Sequence, residues 1–115
     1  ATLPAPYNTA DLADGKRQFE LCSACHTLIK GGANMTGPNL YGVFGRKAAS
    51  VPGYKYSPVL QKTGWLWTPE QLDKWLTAPQ TTLPGAKMAF VGLKDPKARA
   101  DVIAYVAVVS KGGPL

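Results

Sequence analysis

The chain has 115 residues, enough for one domain with one core. With 45% hydrophobic, 10% aromatic and 17% charged residues it is not a disordered chain. Its longest unbroken apolar run, Val102–Val109, falls far short of the ~20 residues a membrane span needs. Thirteen basic and seven acidic side chains give a net charge of +6. That moderate excess favours an acidic partner surface rather than nucleic acid.

Residues 1–10 read as an N-terminal tail or linker stub, and 11–115 as a single domain. The first eight residues hold two prolines and no periodicity. They show no charged start, apolar stretch and cleavage site of the secretory kind. The tail therefore fits a chain already exported, or one cut from a membrane-anchored parent.

A first helix is predicted from about Asp11 to Cys25, capped by Thr9 or Asp11, with Leu12, Phe19 and Cys22 on one face. From Thr27 to Tyr56 glycines and prolines recur, and no period survives. A loop that long needs something other than a backbone ladder to organise it, and a large buried ligand would serve. A short helix starts at Ser57-Pro58. A clearer one starts at Thr68-Pro69-Glu70-Gln71, which combines a cap, a proline in the first turn and a capping box. It places Leu72, Trp75 and Leu76 on one face and ends before Pro79. Pro79 to Gly92 reads as a second irregular stretch. Asp95-Pro96 opens a last helix with a stripe of Ala98, Val102, Tyr105, Val106 and Val109, stopped by Gly112-Gly113. No alternating strand pattern appears, so the fold class is all-α, three to five helices joined by structured loops.

The chemistry sits at Cys22-Ser23-Ala24-Cys25-His26, which holds both cysteines and the only histidine. This is the spacing of a c-type haem attachment. Two thiols three residues apart at a helix end can form thioethers with one edge of a porphyrin. The adjacent imidazole then lies under the iron as a ligand. A redox dithiol uses the same cysteine spacing but expects a βαβ context, which is absent. A structural zinc site needs four ligands, and only three are present. A disulfide closing so short a loop would constrain little of the unfolded chain.

With one histidine, a bis-histidine haem is excluded within the chain. The remaining candidates for a sixth ligand are Met35 and Met88. Met35 reads as core filling. Met88, in the loop after Pro84-Gly85, reads as the ligand.

Beyond this motif the chain resembles the class I cytochrome c family, over roughly Asp14 to Ser110. Gly15 and Phe19 resemble the first-helix pair that packs on the last helix at Val102 and Tyr105. Cys22 to Thr27 resembles the haem site. Lys30-Gly31-Gly32, Thr36 to Gly42, Phe44 to Lys47, Pro52-Gly53-Tyr54 and Tyr56-Ser57 follow in the family's order. Trp67, Leu83 to Phe90 and Ile103-Ala104-Tyr105 complete it.

The resemblance implies a cytochrome c fold wrapped round one haem c, attached through Cys22 and Cys25 and ligated by His26 and Met88. It implies that the Pro38 carbonyl accepts the His26 ring N–H. Arg46, Tyr56 and Trp67 would bind a buried haem propionate, and Phe90 would pack near the exposed haem edge. The chain departs from the family at Ala86, Leu60 and Trp75, where threonine, asparagine and tyrosine are usual. The pocket beside Met88 is therefore expected to be more apolar, with a raised reduction potential. Leu21, Met35, Gln80 and Thr81 replace lysines of the mitochondrial protein, while Lys30 and Lys87 remain at the docking face. Partner binding should then depend less on salt.

The implied function is one-electron carriage between larger redox proteins, in the periplasm or alternatively the mitochondrial intermembrane space, by a monomer that is not an enzyme. A haem module of an anchored complex is one alternative. A gas-binding or peroxidatic protein, which would need an open sixth position, is the other.

Overall fold

The computed structural model describes residues 3–86, 88, 90 and 92–111. Among them a 3₁₀ turn at Tyr7–Thr9 precedes five α-helices: α1 (Leu12–Ser23), α2 (Pro58–Gln61), α3 (Pro69–Thr77), α4 (Pro79–Thr82) and α5 (Pro96–Val109). No strand forms among these residues, and Lys47 and Leu66 make one isolated antiparallel bridge. No helix is long and apolar enough to cross a membrane among the residues described.

Local chemistry sets most helix starts. Asp11 Oδ1 accepts the Asp14 N–H at 3.1 Å, Thr68 Oγ1 that of Gln71 at 3.0 Å, and Asp95 Oδ1 that of Lys97 at 3.0 Å. Ser57 Oγ caps α2 more loosely, at 3.4 Å from Leu60 N. Each bond satisfies a donor that the first helical turn leaves free. Thr9 takes no part in capping α1.

Helix α1 ends two residues earlier than the sequence suggests. The Cys25 and His26 N–H groups both turn back to the Cys22 carbonyl, at 3.0 and 2.9 Å. The helix therefore closes before the second cysteine. Leu12 is 44% exposed, so the inward face is Gly15 and Phe19 instead.

Helix α5 is the central element. The sequence shows a stripe on it, but Ala98, every residue from 100 to 107, and Val109 are buried. The stripe widens because α1, α3 and the N-terminal turn all pack against this one helix. Its described part ends with Ser110 N–H on the Val106 carbonyl at 2.9 Å, and the expected stop at Gly112-Gly113 lies outside the described residues.

The α1–α5 crossing depends on Gly15. A Cβ there would lie 2.1 Å from the Asp101 carbonyl oxygen and 2.7 Å from Tyr105 Cβ. Beside it, Phe19 and Tyr105 stack with ring centroids 5.8 Å apart. The Asp101 carboxylate is fully buried, yet it accepts the Asp11 N–H at 2.9 Å and the Lys97 ammonium at 2.8 Å. Burial opposes its charge. Lys97, the Asp11 N–H and Asp14 together outweigh that, so its pKa falls below the ordinary carboxylate value.

Two elements depart from the sequence reading. Residues 7–10, read as tail, carry the 3₁₀ turn, and Tyr7 is buried against α5. Helix α4 falls inside the stretch read as irregular. It is a single turn, with Thr82 N–H on Ala78 and Leu83 N–H on Pro79, both at 2.9 Å, and one turn leaves no period to read.

Candidate haem site

Helices and loops enclose a cavity of about 420 Å³, within the range of cofactor sites. Cys22, Cys25, His26, Pro38, Arg46, Tyr56, Trp67, Trp75, Met88 and Phe90, the residues singled out in the sequence, all line it. Met35 does not. It is 41% exposed, so the core-filling reading of that methionine is corrected.

The proximal wall grows from the end of α1. Cys22 lies in the last helical turn, and the tight turn behind it presents Cys25 and His26 to the cavity. Both cysteines are free thiols. Burial, with Cys25 adding to it, pushes the Cys22 thiol up to about 11. A redox dithiol needs a depressed thiol pKa, so this arrangement does not suit that rival. Among the described residues no group of three or more His, Cys, Asp or Glu could hold a metal ion, which leaves the zinc reading without a ligand set.

Burial lowers the His26 pKa. The hydrogen bond to Pro38 works against it, and the nearby Arg46 charge adds to it. The neutral imidazole carries one N–H. A carbonyl can only accept, so the 2.8 Å contact with the Pro38 oxygen assigns that proton to Nδ1. Nε2 is left with its lone pair.

Gly37 holds the ring from the side. A Cβ at this position would meet His26 Cε1 at 2.2 Å and Nε2 at 2.6 Å. Sequence reasoning gave Gly37 no role, because one glycine in a glycine-rich loop looks like any other. Around it, Gly37 N–H donates to Cys25 at 2.8 Å, and Leu40 N–H to Thr27 at 2.8 Å. The Asn39 amide donates to Thr27 Oγ1 at 2.7 Å and to the Ile29 carbonyl at 3.0 Å.

One end of the cavity is cationic and polar. Arg46 and Trp67 are set there by paired backbone: Trp67 N–H donates to Arg46 at 2.9 Å and Gly45 N–H to Trp67 at 2.8 Å. The Arg46 guanidinium donates to the Tyr41 and Asn39 carbonyls, each at 3.2 Å. It is half-buried, burial lowers its pKa, and among the described residues it has no carboxylate partner. A guanidinium so placed calls for an acid supplied from within the cavity. The Tyr56 hydroxyl oxygen accepts the Val51 N–H at 3.0 Å, which leaves its proton uncommitted in that bond.

The distal wall carries Met88 and Trp75. The Trp75 indole N–H donates to Met88 Sδ at 3.3 Å. This corrects the expectation of a simply apolar pocket, since the indole supplies a donor to the sulfur. Leu60 lines the cavity as an apolar group. The edge-to-face ring contacts of Trp75 with Trp65 and Trp67, at 6.1 and 6.2 Å, fix the indole's angle. Gln80, also missed in the sequence, donates its side-chain amide to the Ala86 and Met88 carbonyls, at 2.8 and 2.7 Å.

Two thiols, a neutral imidazole, a thioether and a guanidinium lacking an acid are a donor set that fits a haem. At the mouth Leu21 is 67% exposed, and Lys30 is exposed nearby in sequence. Lys87 lies outside the described residues.

The comparisons agree with this geometry. The family model described as cytochrome c matches residues 12–110. The chain is 48% identical over 97 residues to cytochrome c2 of Rhodopila globiformis, covering 84% of this chain and 91% of that one. It is 52% identical over 77 residues to cytochrome c of Trypanosoma brucei brucei, covering 67% and 83%. It is 46% identical over 99 residues to the c-type cytochrome cy of Rhodobacter capsulatus, covering 85% of this chain and 49% of that one. With its all-α fold and its cysteine–histidine turn facing one cavity, the chain belongs to the cytochrome c family.

Proposed function

We propose that the protein carries single electrons between larger redox proteins, through a haem c attached at Cys22 and Cys25 and ligated by His26 and Met88. One observation carries this reading: a neutral imidazole with a free Nε2 and a thioether sulfur line the same cavity as the two thiols. When bound, the haem supplies an iron that alternates between ferric and ferrous.

The chain's residues do the rest. Pro38 fixes the His26 tautomer and raises the basicity of Nε2. Arg46, with Tyr56 and Trp67, receives the carboxylates of the group and offsets their charge. Leu60 adds an apolar side chain to the cavity wall, and the Trp75 N–H draws electron density from the Met88 sulfur. Both effects would disfavour the more positive ferric state of the bound group, so both would raise its reduction potential.

With Met88 as ligand in both oxidation states, little has to rearrange when an electron moves. The sequence holds one histidine, so no second imidazole is available for acid–base work, and the reading gives the protein the role of a carrier rather than an enzyme. It acts as a monomer. Its partners dock at the cavity mouth, on an apolar surface around Leu21, with the sequence's Lys30 and Lys87 as the basic residues of the docking reading. Location is the periplasm, with the mitochondrial intermembrane space as the alternative.

A second reading has one observation behind it. The match spans 49% of the Rhodobacter capsulatus relative, so this kind of domain also occurs within longer chains. A module of a larger or anchored electron-transfer protein would use the same site.

Cyclic voltammetry of the holoprotein tests the proposal. One reversible one-electron wave that stays symmetric as the scan rate rises is the expected result. A wave that splits or becomes irreversible would mean that a ligand is exchanged at each redox change, and would overturn it.

A further inference from the structure

Met88 stands in a stretch with no helix between α4 and α5 among the described residues. The stretch enters through a turn, with Ala86 N–H on Leu83 at 3.1 Å and Gly85 in the left-handed region at φ +88°. It leaves through Gly92, packed against the end of α3, with Leu93 N–H on Leu76 at 2.7 Å. Between these anchors, among the described residues, the backbone at Met88 is held by the side chain of Gln80. The Gln80 amide has two N–H groups, and they reach the carbonyls of Ala86 and Met88 at 2.8 and 2.7 Å. Since one amide reaches both, both carbonyls face α4.

Gln80 itself is well supported. Helix α4 is tied to α3 by the Thr82 hydroxyl on the Lys74 carbonyl at 3.2 Å, and Pro79 at its start is fully buried. The latch is therefore rooted in the scaffold while its tip is exposed to water. Water competes for exposed hydrogen bonds, so such a latch holds the loop and can also release it.

We propose that Gln80 is a positioning residue that sets how often Met88 leaves the sixth position. The proposal rests on Met88 as the ligand. Gln80 touches neither the sulfur nor the cavity, so it acts only through the backbone that carries Met88.

The test is the rate at which cyanide binds the ferric holoprotein, read beside the far-red methionine–iron absorption band. Gln80→Leu removes both donors, and Gln80→Arg keeps N–H donors on a group that stays protonated and does not ligate iron. Losing two exposed hydrogen bonds should raise the cyanide rate about tenfold in the leucine variant. The far-red band should be lost at lower pH, with the thermal midpoint of the fold little changed. The arginine variant should stay near the parent. A leucine variant with the parent's cyanide rate and band overturns the latch and leaves Met88 ligation standing. An equal rise in both variants also overturns the latch. A parent protein without the far-red band overturns Met88 ligation, and the latch with it.

Discussion

The two walls of the cavity are built in different ways. The proximal wall is woven from many bonds, most of them backbone to backbone. Cys25 and His26 fold back on Cys22, Gly37 donates to Cys25, Leu40 donates to Thr27, and the Asn39 amide ties Thr27 to Ile29. The imidazole is also gripped, by the Pro38 carbonyl at its edge and Gly37 against its ring. Among the described residues the distal wall hangs from side chains: Gln80 on the carbonyls of Ala86 and Met88, and Trp75 on the sulfur. A wall woven from many backbone bonds opens only when they break together, whereas a wall hung from side chains can open as individual bonds break. On the proposed ligation the difference assigns separate tasks: His26 would stay with the iron, and Met88 would set the stability of the closed state.

The largest expected effect comes from breaking the woven side. In Gly37→Ala the new Cβ would lie 2.2 Å from His26 Cε1, and either the ring or the loop must move. We expect a loss of about 2–3 kcal/mol in urea unfolding, with haem incorporation reduced. Parent-like unfolding would mean that the loop yields easily and the proximal wall is not rigid. Asn39→Ala should cost about 1–2 kcal/mol by the same measurement, since it leaves the Ile29 and Thr27 oxygens without their amide donor.

On the hung side, Trp75→Phe keeps an aromatic ring and removes the donor to Met88 Sδ. One net hydrogen bond of about 1 kcal/mol corresponds to roughly 40 mV for a single electron. The potential, measured by redox titration, should fall by about that amount, because the ferric state loses a disfavouring dipole. A potential that stays or rises would show that the indole N–H does not act on the sulfur.

The smallest effect belongs to the scaffold that both walls share. The Asp101 pKa is lowered in the fold, so its stabilising charge is present above the ordinary carboxylate pKa and lost as pH falls through the folded value. Lys97→Met removes a partner of that carboxylate, and should move the acid-unfolding midpoint to higher pH. Since α5 underlies both walls, fluorescence and haem absorbance should shift together. Separate shifts would place the effect on one wall.

What the sequence disclosed follows the same division. The helix caps at Asp11, Thr68 and Asp95 are local, a side chain acting on backbone a few residues away, and each could be read directly, whereas the Cys22–His26 motif was legible but the turn that ends α1 before Cys25 was not. Pro38, Arg46, Tyr56, Trp67 and Phe90 came from the resemblance rather than from spacing, and the fold brings all of them to the cavity. What stayed hidden is tertiary. Trp75 looked like a loss of polarity, because its N–H finds the sulfur only when α3 faces Met88. Gln80 looked like a missing lysine, and its bonds are to backbone oxygens that carry no sequence signal. Asp101 gave no sign of its burial, since the helix that carries it is enclosed by distant elements, and Tyr7 looked like tail.

The most direct test of the central claim, a closed site with His26 and Met88 as ligands, is an optical spectrum of the ferric and ferrous holoprotein, followed by carbon monoxide added to the ferrous form. A far-red methionine–iron band in the ferric state, with a ferrous spectrum unmoved by carbon monoxide, is the predicted result. A missing band with ready carbon monoxide binding would contradict the account and bring the gas-binding or peroxidatic reading forward.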